Sequence, residues 1–249
     1  MRVALCDISR EGVLRLQDEL GAERTLPLPA DVSDPAACSD SVDRTIAHFG
    51  RIDVLVNNAA VGMSTVRTDH MRRVVQIEDI SPELWARFMA VNLSAPFYMA
   101  HAAVPGMRSR GFGRIINVTT SYFSMLNPGF SPYGPAKSGL EAWSTSLAGE
   151  LRGSGITVNV VVPGGPTDTP MVPDDGTMER SQLIRPEAMA PPMLYLASDA
   201  GGEVTGMRFV AAKWDPAVSI AEAIAASGAP AGWPDLAKSP VWPGGGPKR

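Results

Sequence analysis

The sequence predicts an α/β fold, a doubly wound parallel sheet in a single domain. Three observations predict it. Short apolar runs alternate with longer amphipathic stretches between residues 3 and 211. The run Ile156 to Val162 is rich in β-branched residues and bounded by Gly155 and Pro163, as in a fully buried parallel strand. The chain has 249 residues, enough for one α/β domain with a full core.

The elements follow in order. Val3-Ala4-Leu5-Cys6 reads as a buried strand that stops at Asp7. Residues 10–20 place Val13, Leu14, Leu16 and Leu20 on one helical side, with Gly21 as the stop. Residues 25–30 form a second, weaker strand. Residues 34–49 read as a helix, with Asp34 as cap, Pro35 in the first turn and Gly50 as terminator. Asp53-Val54-Leu55-Val56 is a clear strand. Residues 82–110 read as one long helix, capped by Ser81-Pro82 and bent or interrupted near Pro96 and Pro105. Arg114 to Val118 is a strand. Residues 133–152 form a helix with Leu140, Trp143, Leu147 and Leu151 on one side. Met207 to Ala211 is the last strand. Residues 163–192 are Pro-rich and irregular, and read as a mobile loop. The division expected is a domain over residues 1–213 and a Pro/Gly-rich tail over 214–249. That tail carries Pro216, Pro230, Pro234, Pro240, Pro243 and Gly244-Gly245-Gly246.

Composition narrows the function. Lys plus Arg is 22 and Asp plus Glu is 26, a net charge of −4. This argues against an electrostatic grip on nucleic acid or anionic membrane. No apolar stretch approaches the length of a spanning helix or a signal-peptide core, so the expected compartment is the cytoplasm. Cys6 and Cys38 are too few for a disulfide framework or a Cys-based zinc site. His48, His70 and His101 show no ligand spacing, so no metal is expected.

In open parallel sheets, ligands bind beyond the carboxyl ends of the strands. The segments there are Asp7, Asp31-Val32, Asn57-Asn58-Ala59-Ala60, Thr119-Thr120-Ser121 and Pro163-Gly164-Gly165. A carboxylate at the position of Asp7 can accept hydrogen bonds from ribose hydroxyls and repel a 2′-phosphate. It can equally be a solvated strand-end Asp. Tyr133 and Lys137 share a helix face if the helix starts at Tyr133, an argument that weakens if it starts only at Pro135. An ammonium beside a phenol favours the phenolate and suits it to proton transfer. The same pair would be ordinary on a surface helix. Thr120 or Ser121 can orient a substrate oxygen, or serve turn chemistry. Asn92 needs partners for an inward amide, and either a water relay or a helix bend would supply them.

Together these motifs, in this order and spacing, resemble the short-chain dehydrogenase/reductase family over roughly residues 2–212. The resemblance implies a Rossmann-type, NAD(P)-dependent oxidoreductase that interconverts a small-molecule alcohol and a carbonyl compound. Tyr133 would be the general acid/base. Lys137 would lower its pKa and hold the nicotinamide ribose. Thr120 or Ser121 would orient the carbonyl, and Asn92 would hold the relay water. Asp7 would select NAD over NADP, and Asp31 and Val32 would flank the adenine. Asn57, Asn58, Ala59, Pro163 and Gly164 would line the cofactor path, and Thr169 would touch the carboxamide. A homodimer or homotetramer is implied. Met99, Ala103, Leu140 and Trp143 are apolar positions beyond one core stripe on the paired helices.

Three departures stand out. Ala60 replaces the usual Gly after Asn57-Asn58-Ala59. Thr120 stands where Ser is usual. The Gly-rich turn expected about 20 residues before Asp7 is missing, together with the strand and helix that flank it. That strand would lie between the one ending at Asp7 and the one ending at Asn57. The expectation is therefore a record that starts late in its reading frame. The alternative is a non-catalytic remnant of the fold acting only through oligomer contacts.

Overall fold

The computed structural model describes residues 1–237. Pro240, Pro243 and Gly244–Gly246 of the tail lie outside the described residues. The doubly wound α/β architecture is present, with the sheet in two pieces. Strands β1 (Val3–Asp7) and β2 (Thr25–Pro29) pair in parallel, Val3 opposite Thr25 and Asp7 opposite Pro29. The larger piece runs β3 (Val54–Asn57), β4 (Gly113–Val118), β5 (Ile156–Val162), β6 (Met207–Val210) and β7 (Gly228–Pro230). Strands β3 to β6 are parallel, and β7 is antiparallel to β6. Every residue of β4 and β5 is buried, as the β-branched-rich run of β5 predicts for that strand.

Helices cover both faces of the larger sheet. On one face, Ala100, Ala103 and Met107 of α4 (Ala95–Arg110) meet Leu147 and Ala148 of α6 (Tyr133–Glu150) over Ile115 and Val158. On the other, Leu196 of α7 (Ala190–Ala197) and Ala223 of α8 (Ile220–Ser227) pack with Trp214 on Ile116, Val161 and Phe209. Local chemistry sets the ends. The Asp34 carboxylate accepts from Ala36 N at 2.9 Å to start α2 (Pro35–Phe49), and Gly50 stops it in the left-handed region at φ 83°.

Four expectations need correction. First, only Val13 of α1 (Arg10–Leu20) is buried, and Leu14, Leu16 and Leu20 are exposed. The cause is the divided sheet. Strands β1 and β3 do not pair, and a cavity of about 1220 Å³ lies between them, lined by Leu5, Val13, Leu16, Val54, Val56, Pro96 and Met99 among others. Second, the long helix is interrupted near Pro96, as expected, but not at Pro105, which lies inside α4. Helix α3 (Pro82–Met89) passes into a π-turn at Ala90–Ser94 before α4 begins, with Ala95 N donating to Ala90 O. Pro96 has no N–H to give the Asn92 carbonyl, which disrupts the α-helical ladder there.

Third, the chain stays folded beyond residue 213. Trp214 is buried against Phe209 and Tyr195, α8 begins with a reciprocal capping box between Ser219 and Glu222, and β7 extends the sheet. The Ser219-x-x-Glu222 spacing ahead of Ile220, Ala223 and Ile224 was the available signal. Fourth, Ala103 and Leu140 lie in the core, and Met99 packs against it and lines the cavity. The outward apolar patch on these helices is Leu93, Phe97, Tyr98 and Trp143.

Candidate active site

The strand ends collect at one rim. Asp7, Val32, Asn57, Asn58, Ala59 and Pro170 line the cavity between β1 and β3. The Asp7 carboxylate accepts from Ser9 N at 2.8 Å and stays exposed. Asp31 turns instead to α3. Arg87 Nη1 donates to its Oδ2 at 2.8 Å and Ser33 Oγ to its Oδ1 at 2.8 Å. The Arg87 hydrogen bond, with that of Ser33, holds the Asp31 carboxyl down at about 2. At the far side of the rim, Gly164 has φ 108°, and a Cβ there would meet Val210 Cγ1 at 2.9 Å. The backbone turn at Pro163-Gly164 therefore needs glycine.

Tyr133 is the first residue of α6, so it and Lys137 lie one turn apart on the same face. Lys137 is 2 % exposed, and its Nζ donates to Val118 O at 2.8 Å. Burial pushes its ammonium down to about 8. The Tyr133 phenol is raised by burial, and the Thr120 side chain facing it pulls the other way. The expected depression of the phenol by Lys137 is not what holds it here: desolvation dominates, and the opposing contribution comes from Thr120.

Thr120 and Ser121 separate cleanly. Ser121 caps α5 (Tyr122–Leu126), its Oγ accepting from Ser124 N at 3.3 Å, whereas the Thr120 side chain is the one that pulls the Tyr133 phenol down. Asn92 sits in the π-turn with no exposed surface. Its Oδ1 accepts from Val61 N at 2.9 Å and its Nδ2 donates to Val61 O at 3.0 Å, which ties the loop after β3 to the helix. Asn57 Nδ2 donates to Asn117 Oδ1 at 2.8 Å, and Asn117 Nδ2 donates to Ser144 Oγ at 2.8 Å. This relay of amides locks β3, β4 and α6 together beneath the rim.

The loop after β5 is pinned by charge. Asp168 accepts from Arg180 Nη2 at 2.5 Å and Arg185 Nη1 at 2.5 Å, and Thr167 bridges to Ile184. Both arginines are drawn to one carboxylate, while the Arg185 side chain keeps most of its exposure. Thr169 Oγ1 donates to Thr167 O at 3.3 Å inside this loop. Among the described residues no group of three His, Cys, Asp or Glu is placed to hold a metal, and both thiols are free. No helix among them is long and apolar enough to cross a membrane.

A cluster under Thr120 was not anticipated from the sequence. Glu141 of α6 is paired with Arg208 of β6, and both are buried. The signals were a carboxylate one turn beyond Lys137 and a charge inside a strand.

Comparison with known proteins agrees with this architecture. Residues 1–212 match the family described as enoyl-(acyl carrier protein) reductase. The chain is 33 % identical over 207 residues to D-beta-hydroxybutyrate dehydrogenase of Rhizobium meliloti, covering 75 % of this chain and 76 % of that one. It is 33 % identical over 206 residues to 3-oxoacyl-(acyl-carrier-protein) reductase FabG of Escherichia coli, covering 80 % of each. Among solved structures it resembles a blue fluorescent protein from a metagenomic library in complex with NADPH, at 31 % identity and TM-score 0.69, covering 82 % of this chain and 83 % of that one. The fold and rim define a Rossmann-type oxidoreductase scaffold. The chain belongs to the short-chain dehydrogenase/reductase family.

Proposed function

We propose that this protein interconverts a secondary alcohol and a ketone of a small molecule by hydride transfer with NAD, using Tyr133 as general acid/base. The carrying observation is the placement of Tyr133, Lys137 and Thr120 together at the carboxyl end of the parallel strands. When bound, the nicotinamide supplies or accepts the hydride. Thr120 holds the substrate oxygen by its hydroxyl, in preference to Ser121, which is engaged as a cap. Tyr133 gives its phenolic proton to that oxygen in reduction and takes it back in oxidation. Lys137 spends one N–H on Val118 O, leaving two donors for ribose hydroxyls. The Asn92 carbonyl, to which Pro96 can give no N–H, is the oxygen that would hold a relay water.

The residues present fit the two ends of a dinucleotide. Asp7, Val32, Asn57, Asn58 and Ala59 line the cavity, with Pro170 from the loop after β5, and Pro163, Gly164 and Thr169 precede Pro170 in that loop. Asp31 is committed to Arg87 and acts by shaping the adenine side. The Gly-rich pyrophosphate turn has no counterpart among the described residues. The Asp7 carboxylate supports NAD over NADP, because it would repel a 2′-phosphate. The names of the two relatives support 3-hydroxy and 3-oxo acids or their thioesters as first substrates. A homodimer or homotetramer formed through the Phe97 and Trp143 face, in the cytoplasm, completes the reading.

The divided sheet favours a second reading, a scaffold of the same fold that does not turn over and acts through oligomer contacts. One experiment separates the two. A panel of 3-hydroxy acids and simple secondary alcohols is assayed with NAD and with NADP, following nicotinamide absorbance. The first reading expects turnover that favours NAD, and Asp7→Ser moves that preference toward NADP. No turnover with any pair, under conditions where NADH binding is also undetectable, selects the scaffold.

A further inference from the structure

We propose that Glu141 and Arg208 are a buried positioning pair that holds the end of β4 and so sets where the Thr120 hydroxyl stands relative to the Tyr133 phenol. The inference rests on the acid/base reading of Tyr133. It concerns residues that touch neither substrate nor cofactor.

The pair joins four elements. Glu141 has no exposed surface and Arg208 is 4 % exposed. One carboxylate oxygen, Oε2, accepts from Arg208 Nη1 and from Thr119 Oγ1, the latter at 2.9 Å. The other, Oε1, accepts from Tyr122 OH at 3.2 Å. The second guanidinium nitrogen, Arg208 Nη2, donates to Thr120 O at 2.8 Å. The guanidinium carbon also lies 4.2 Å from the centre of the Tyr122 ring. Three successive residues at the end of β4 are therefore each gripped by a buried charge: Val118 O by Lys137, the Thr119 hydroxyl by Glu141 and Thr120 O by Arg208.

Stability alone does not account for this cluster. Two charges taken out of water lose hydration that their attraction scarcely repays, and apolar residues of like volume often serve a core as well. What the pair adds is geometry. The planar guanidinium reaches the carboxylate and the Thr120 carbonyl with two different nitrogens, which fixes that peptide in one orientation. The arrangement also neutralises a carboxylate that sits one helical turn from Lys137. Burial alone accounts for the lowered Lys137 ammonium.

The test replaces both partners together, Glu141→Leu with Arg208→Met, so that no lone charge is stranded. Two readouts are taken on the whole chain. One is the titration of Tyr133, resolved from the other three tyrosines by NMR of 13Cζ-tyrosine protein. The other is the split between kcat and KM with the best alcohol of the panel. The folded double variant is expected to titrate Tyr133 at higher pH, because Thr120 no longer lowers it. Its kcat should fall about tenfold or more with KM little changed. Thr120→Val alone should move Tyr133 the same way, and adding the pair replacement to it should move it no further. If the double variant does not fold, Arg208→Lys is read instead. It keeps the charge and loses the planar fork, and the same upward shift is expected. An unchanged Tyr133 titration in a folded variant, or full additivity with Thr120→Val, would overturn the proposal. Failure of the acid/base reading looks different: Tyr133→Phe would keep its turnover while the NMR titration still reported the coupling.

Discussion

Lys137 brings an ammonium into a place with almost no water, and the cost shows in its titration. Its pKa falls from 10.5 to about 8, with burial as the cause. The sign of the consequence for stability is fixed by linkage. Between pH 8 and 10.5 the unfolded chain binds this proton more readily than the native one, so the contribution of the group rises with pH across that window. It is complete above the unfolded value and lost as the pH falls through about 8. The melting temperature of the wild type, measured against Lys137→Met, should therefore climb from pH 8 toward 10. A difference independent of pH would show that the amine is not desolvated. At this scale much was legible. The shared helix face of Tyr133 and Lys137 and the inward Asn92 amide were legible from the sequence, whereas the Asp7 carboxylate stays exposed. The choice between Thr120 and Ser121 was not legible, because it depends on which hydroxyl the start of α5 consumes. The Glu141–Arg208 pair was hidden for a similar reason, since its partners are 67 residues apart.

Secondary structure was read well where capping chemistry is local, and poorly where it depends on neighbours. Asp34-Pro35 and Gly50 bracket α2 as expected. The apolar side of α1 was also read correctly as a pattern, yet Leu14, Leu16 and Leu20 stay exposed because β1 and β2 stand apart from the larger sheet. Periodicity reports which face is apolar, and only the fold decides whether that face is covered. The same division has a dynamic consequence. The β1–β2 pair has one strand contact, whereas β4 and β5 are buried and flanked on both edges. Amide hydrogen exchange in β1 and β2 should exceed that in β4 and β5 by about two orders of magnitude or more. Equal protection across both pieces would show that they unfold as one cooperative unit. The π-turn at Ala90–Ser94 belongs here too. Its location follows from Pro96, whose missing N–H acts on the turn before it, so the break falls upstream of the proline.

For the molecule as a whole, the doubly wound class follows from strand–helix alternation and from the buried run in β5. The extension to β7 does not, because a three-residue edge strand of Gly-Ala-Pro carries no periodic signal. The outward patch of α4 and α6 was partly misplaced for a related reason. Met99, Ala103 and Leu140 face the core or the cavity, and Phe97 carries the exposed surface at 47 %. Its ring lies 6.1 Å from that of Trp143. Light scattering of the purified chain should show a dimer or tetramer, and Phe97→Asp should shift it to the monomer. A wild-type monomer would remove this face from the account. The central claim is that one phenol at the strand ends moves the proton. Its most direct test is Tyr133→Phe, with turnover on the best alcohol measured beside NADH affinity by fluorescence titration. The account predicts that turnover falls by about 10²–10⁴-fold while affinity holds. Turnover near that of the wild type would contradict it.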